Sequence, residues 1–291
     1  MYEEAQRIFD YLPIRSVPLE QEYIQYLWET FSVLDNTETS TRSFSIMPFH
    51  LLFMMAIQYK VIKISDHNQK YYKNFIEKNK NLEKESINIL LSQKKSVFDI
   101  SSIRERSIGD LFNSITQDNI IIKDYKQLID ERNKNFAHAN SGREINIEEK
   151  IDRYINLLEN IQKSIVNINQ NIAESLIIEL RIQDLEDISN VIDLYLLDDR
   201  SNPKDFEDMI SILLQSEEFD FDQWEQVVDK GLDLAYEATI QALMNLALTE
   251  VEDGKRFNII NKLYENHLSD DIKFKILQKE KDLEIIELLN T

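Results

Sequence analysis

Cysteine is absent from the 291 residues, and glycine and proline number only four each. The first absence excludes disulfides and thiolate metal sites. The second leaves too few residues for the tight turns and strand edges of a β fold. Histidine is sparse as well. His50, His67, His138 and His267 supply no pair at helical i, i+3 or i+4 spacing, so no metal site and no cofactor is expected. Long apolar runs are missing too. The longest, Ile46 to Ile57, is twelve residues and holds Pro48 and His50, whereas a bilayer span needs about 20. It reads as a buried helix. The opening Met1-Tyr2-Glu3-Glu4 is acidic, unlike a basic and apolar signal peptide. A cytoplasmic protein with no membrane attachment is the expectation.

What is present points to an all-α fold. Hydrophobic residues make up 43%, enough for a core, and Leu, Ile, Glu, Lys and Asn dominate the rest. The net charge of -20 is unevenly placed. Residues 1–170 hold 22 Lys/Arg against 24 Asp/Glu, a balance of -2, and residues 171–291 hold 11 against 29, a balance of -18. A near-neutral half can present a local basic surface to RNA, while a strongly acidic one repels phosphate backbones. Two parts are therefore expected: a helical bundle over 1–170 and an acidic, repeat-like helical domain over 171–291.

Apolar periodicity places the helices. A first helix covers Tyr2 to Leu12 and stops at Pro13. The second runs from Leu19 to Leu34, and the polar stretch Asp35–Ser43 is a loop. Pro48 suits the first turn of an all-round apolar helix to Ile64 at the bundle centre, with Met54 and Met55 as core filling. His50 within it reads as a hydrogen-bonded core histidine. The Lys- and Asn-rich stretch His67–Lys95 is a solvated face of helices. Ser107-Ile108-Gly109-Asp110 opens a further helix with a capping box, anchored by Leu111 and Phe112. Ile121 to Ala139 is followed by the stop Asn140-Ser141-Gly142, and Asn146 caps a long helix to about Asn169. Beyond it, helices are expected at 173–181, 185–197, 204–215, 221–232, 234–248, 255–265 and 271–289. The acidic pairs Asp198-Asp199 and Glu217-Glu218 read as solvated rather than metal-binding.

One segment stands out chemically: Arg132-Asn133-Lys134-Asn135-Phe136-Ala137-His138. Guanidinium binds phosphate through a two-pronged fork, and imidazole exchanges a proton near neutral pH. RNA supplies its own nucleophile, the 2′-hydroxyl. Six positions on a straight helix separate the two side chains by about 9 Å of rise and about 240° of turn. They diverge, so a working site needs two copies about a two-fold axis. The structural alternative is that Arg132 pairs with a carboxylate near Asp130 or Glu131 while His138 caps the helix end.

The arginine, the polar Asn133, the Ala137-His138 ending and the position near the end of a bundle's penultimate helix together resemble the signature of the HEPN superfamily. Ser107-Ile108-Gly109-Asp110-Leu111 resembles a helix opening common in its abortive-infection-type members. The resemblance spans roughly residues 1–170. It implies a metal-independent endoribonuclease, active as a homodimer on an RNA substrate, of a bacterial defence or toxin–antitoxin type system. Arg132 and His138 would be the catalytic pair, with Asn133 and Lys134 supporting RNA binding. Members controlled by adenylylation carry a tyrosine two positions after the histidine; Asn140 stands there, so that control is not expected. The competing expectation is a non-catalytic dimerisation or adaptor protein whose acidic residues 171–291 bind a protein partner.

Overall fold

The computed structural model describes residues 2–37, 40–67, 73–74, 76–77, 83–92, 96–109, 119–136, 146–182, 188–215, 221–248 and 253–265. The fold is all-α, about 89% helical with no strand among the described residues. The chain divides into two compact units: Met1–Ile168 with Leu194–Asn202, and Asn169–Asp193 with Pro203–Thr291.

The first unit opens with a 3-10 helix, Glu3–Tyr11, within the bounds expected for the first helix. Its buried residues Ala5, Ile8 and Tyr11 recur every third position. That is the three-residue repeat of a 3-10 helix, which stacks them in one row against the core. Helix α1, Pro18–Asp35, carries proline in its first turn and buries Ile24, Leu27 and Phe31. The stretch read as a loop holds a second 3-10 turn, Ser40–Ser45.

Helix α2, Ile46–His67, is the centre of this unit. Phe49, Leu52, Phe53, Ala56 and Ile57 are fully buried, and Met54 and Met55 nearly so. The helical stretch Thr41–Asp66 is long and apolar enough to cross a membrane by composition, yet 89% of its most apolar window is buried in the fold. It is a core helix. Two short helices follow, α3 (Lys84–Leu91) and α4 (Val97–Ile100), so only part of the stretch His67–Lys95 is described. Ser96 caps α4: its hydroxyl accepts from the Phe98 amide at 3.2 Å and its amide donates to Asp99 Oδ2 at 3.0 Å.

The capping box expected at Ser107 is not the helix start. The helical residues already begin at Glu105, and the Ser107 amide itself donates back to the Arg104 carbonyl at 2.8 Å. Ser107 is thus inside the turn, while Leu111 and Phe112 lie outside the described residues. Helix α5 (Asn119–Phe136) and helix α6 (Ile147–Ser164) complete the bundle, α6 packing on both α2 and α5. The Asn146 side chain caps α6, accepting from the Glu149 amide at 3.2 Å. The long helix expected to reach Asn169 instead ends here. Ile165 leaves helical geometry and bonds back to Gln162 O at 3.1 Å, and α7 (Val166–Ile182) begins beyond it.

Helix α8 (Ile188–Asp199) ends at Arg200, whose φ of 50° is the left-handed value of a C-terminal cap. Residues 200–202 are pinned within the first unit. Arg200 Nε lies 3.6 Å from the buried Glu20 carboxylate, Lys63 Nζ donates to Ser201 Oγ at 3.0 Å, and Ile14 N donates to Ser201 O at 2.9 Å.

Besides most of α7 and the start of α8, the second unit holds α9 (Pro203–Gln215), α10 (Phe221–Leu234), α11 (Tyr236–Leu248) and α12 (Asp253–Glu265), these four close to the expected bounds. Helix α11 packs against each of the other three. Its alanines 238, 242 and 247 are buried and allow close approach. The helix expected over 271–289 lies outside the described residues.

Candidate functional site

Helix α5 turns one apolar stripe inward: Ile121, Tyr125, Leu128 and Ile129, all 6% exposed or less. Spacings of three and four residues put Arg132 next on that stripe, at the edge of the core with 18% of its side chain exposed. Asn133 is half-buried and Lys134 exposed. Lys134 faces away from Arg132, into a shallow groove on the outer side of α5 that Lys123, Lys126 and Asp130 also line. The stripe therefore separates Arg132 from its neighbours in sequence. His138 lies outside the described residues, so only the arginine half of the candidate pair is placed.

Arg132 does not meet the carboxylates expected for it. Asp130 takes Arg106 at 3.5 Å, and Glu131 takes both Lys150 and Arg153, the latter at 2.8 Å. The Arg132 partner is Glu105: Nη2 donates to Oε2. The other oxygen, Oε1, is 3.3 Å from His50 Nε2, and His50 Nδ1 is 3.0 Å from the Tyr154 hydroxyl. Tyr125 also reaches this residue, its hydroxyl donating to the Glu105 carbonyl at 2.7 Å. Residues of α2 and α5 thus meet the Glu105 carboxylate, and Tyr154 of α6 holds the His50 ring behind it.

The hydrogen positions follow from this arrangement. The carboxylate can only accept, so His50 donates through Nε2–H. Its Nδ1 then accepts from Tyr154. His50 is 1% exposed, and burial pulls its pKa below the ordinary 6.5 despite the opposing Glu105. A neutral ring with both nitrogens engaged holds a neighbour in place and does not carry protons. Burial raises the Tyr154 phenol. For Glu105, burial alone would raise the carboxyl, but the His50 hydrogen bond and the Arg132 charge outweigh it and hold it below 4.5. Because His50 stays neutral, the lasting electrostatic cause is the Arg132 guanidinium.

Packing fixes the frame. The rings of Phe53 and Tyr154 lie 4.8 Å apart and those of Phe53 and Tyr125 6.1 Å. Gly109 is required where the turn crosses Tyr125: a Cβ there would stand 2.5 Å from the ring atom Cδ1. Against this frame the guanidinium is only partly used. Arg132 Nε is buried without a hydrogen-bond partner, and no described residue bonds Nη1.

Sequence reasoning reached Arg132 and read His50 as a bonded core histidine, which it is. Glu105, Tyr125 and Tyr154 were missed as members of one cluster. Glu105 stands in Arg104-Glu105-Arg106 and reads locally as one more surface charge, and nothing in its neighbourhood announces a partner 27 residues on.

No family model, no curated protein and no solved structure matches this chain.

Proposed function

We propose that the protein is a metal-independent endoribonuclease of the HEPN type, cytoplasmic, acting as a homodimer in a bacterial defence or toxin–antitoxin type system. The observation that carries this reading is the state of Arg132. It is held by Glu105 at the rim of the core, with Nε and Nη1 bonded to no described residue, six positions before His138 in the sequence. A fixed guanidinium with spare donors suits a phosphodiester. The 2′-hydroxyl oxygen attacks the adjacent phosphorus and the bond to the 5′-oxygen breaks. His138 of one copy or the other exchanges the proton lost by the 2′-oxygen and gained by the leaving oxygen. Arg132 offsets the charge that gathers on the phosphoryl oxygens. Asn133 and Lys134 contribute RNA contacts in this reading, and the acidic residues 171–291 hold a protein partner away from the RNA.

The test is cleavage of bulk RNA or tRNA by the purified full-length protein in EDTA. Cleavage lost in both Arg132→Ala and His138→Ala is expected. Cleavage that both variants retain removes the assignment.

A second reading, a non-catalytic dimerisation or adaptor protein, has one observation in its favour: Arg132 is ion-paired within its own bundle, as a structural arginine is. It predicts no cleavage in the same assay, together with capture of a basic protein partner by residues 171–291.

A further inference from the structure

The Glu105 carboxylate receives more support than an ion pair at the rim of a core requires. Its backbone carbonyl accepts from Tyr125 at 2.7 Å, its Oε1 meets the buried His50 ring at 3.3 Å, and that ring is fixed by Tyr154 at 3.0 Å. Two comparisons on the same helix show how unusual this is. Asp130 and Arg106 pair at 3.5 Å with side chains 43% and 63% exposed, and no described residue braces either one further. Glu131 is saturated by two cations, Lys150 and Arg153. At Arg132 the balance is reversed, for Glu105 is held at its side chain by His50 and at its backbone carbonyl by Tyr125, while no described residue bonds the guanidinium through Nε or Nη1.

We propose that Glu105 is the positioning residue of this site, fixing Arg132 through Nη2 so that the part-exposed end of its guanidinium faces a phosphate oxygen of the RNA backbone. This rests on the ribonuclease reading and adds to it a residue outside the Arg132–His138 segment. The physical role is preorganisation. An arginine side chain has several rotatable bonds, and holding it before the substrate arrives removes the ordering cost from the reaction step. His50 and Tyr125 act through Glu105 and touch no substrate.

The alternative role of the same contact is sequestration, in which Glu105 competes with phosphate for Arg132. The two roles predict opposite signs. Full-length wild type, Glu105→Asp, Glu105→Gln, Glu105→Ala and Arg132→Ala are compared on a fluorescent single-stranded RNA in EDTA, with kcat and KM read separately. Side-chain 15N NMR of the arginine Nη groups is recorded alongside. Aspartate keeps the charge but falls short by one methylene. It is expected to fold as wild type, lower kcat about 10- to 100-fold and change KM far less. The Arg132 Nη signals, resolved in wild type by restricted rotation, are expected to merge in Glu105→Ala. Glutamine offers one acceptor to two donors and falls between. If Glu105→Ala does not fold, the aspartate and glutamine variants decide. A kcat unchanged or raised in the Glu105 variants, in a protein whose cleavage needs Arg132, overturns the positioning role and leaves the ribonuclease reading standing. Absence of cleavage in wild type, or cleavage that survives Arg132→Ala, overturns the ribonuclease reading and this role with it.

Discussion

The two units stabilise their interiors differently. In the near-neutral first unit, ionisable side chains go inside: Glu20 is fully buried, and His50, Asp35, Lys60 and Lys63 are 1–3% exposed. Glu20 is satisfied there by the Tyr59 hydroxyl at 3.0 Å, the Ser96 hydroxyl at 2.7 Å and the Val97 amide at 3.2 Å. In the strongly acidic second unit the described charges stay outside the core with one exception. Phe206, Ile210, Leu213, Val227, Val228, Leu243, Ile259 and Ile260 are fully buried, and Asp205, bonded to Asn169 at 2.9 Å, is the buried carboxylate among its described residues. Net charge therefore says where a surface repels phosphate, and nothing about where charges are buried. A charge is taken into a core only where enough partners meet it. The first unit has those partners, and its candidate site grows out of them.

The comparison is broken most strongly through the apolar cores, which should behave alike. Phe53→Ala and Phe206→Ala each empty a fully buried ring position, and each is expected to cost about 3–5 kcal/mol. Hydrogen exchange resolved by residue, with denaturant titration, measures both. A cost confined to Phe53→Ala would mean that the second unit adds little cooperative stability of its own.

A smaller effect tests close approach in each unit. A Cβ on Gly109 would lie 2.5 Å from the Tyr125 ring, and one on Gly231 would lie 2.6 Å from Thr239 Oγ1. Helix propensity alone favours alanine over glycine by about 1 kcal/mol, so the sign is informative. Both neighbours are tied down, Tyr125 to the Glu105 carbonyl and Thr239 to the Ala235 carbonyl at 3.0 Å. Gly109→Ala and Gly231→Ala are each expected to destabilise by about 1–3 kcal/mol. A rise in melting temperature for either variant would show that its neighbour yields.

The smallest effect sharpens the polar contrast through pH. His50 has a folded-state pKa below its unfolded value of 6.5. As pH falls below that value the unfolded chain takes up a proton that the folded chain refuses, and stability drops by at most about 1.4 kcal/mol per pH unit. Glu105 is depressed below 4.5, so its contribution is present above that value and is lost only as pH falls through the folded-state pKa. In the second unit, burial pulls Lys262 down, but Asp229 and Glu225 outweigh it and hold the ammonium above 10.5. That contribution is present at neutral pH and is lost as pH rises through the folded value. Acid titration should loosen the first unit from about pH 6.5 downward. Urea midpoints between pH 7.5 and 5 are expected to fall for wild type and to flatten in His50→Asn. An equal slope in both would place the proton uptake elsewhere.

The helices were legible because their signal is local. The 3.6-residue apolar period located α1, α2, α5 and α9 to α12 within a few residues, and Asn146 was correctly read as the cap of α6. Where local signals competed, the outcome was decided by packing. The first segment follows a three-residue repeat as a 3-10 helix, and Ile165 interrupts what periodicity alone would continue. Ser107 has the sequence of a cap and sits inside a turn.

At the candidate site, the sequence by itself determined that Arg132 falls on the inward stripe of an amphipathic helix, because residue spacing sets which face a side chain occupies. It also determined the all-α class, through the scarcity of glycine and proline and the apolar period. Only the tertiary structure decided what Arg132 meets. Glu105 lies 27 positions before it, His50 lies 55 before Glu105, and Tyr154 lies 104 after His50. Such partners are brought together by packing on α2, whose apolar residues cover most of its surface and carry no preference for which neighbour lies where. Hydrogen bonds act over about 3 Å in space and leave no trace in sequence order.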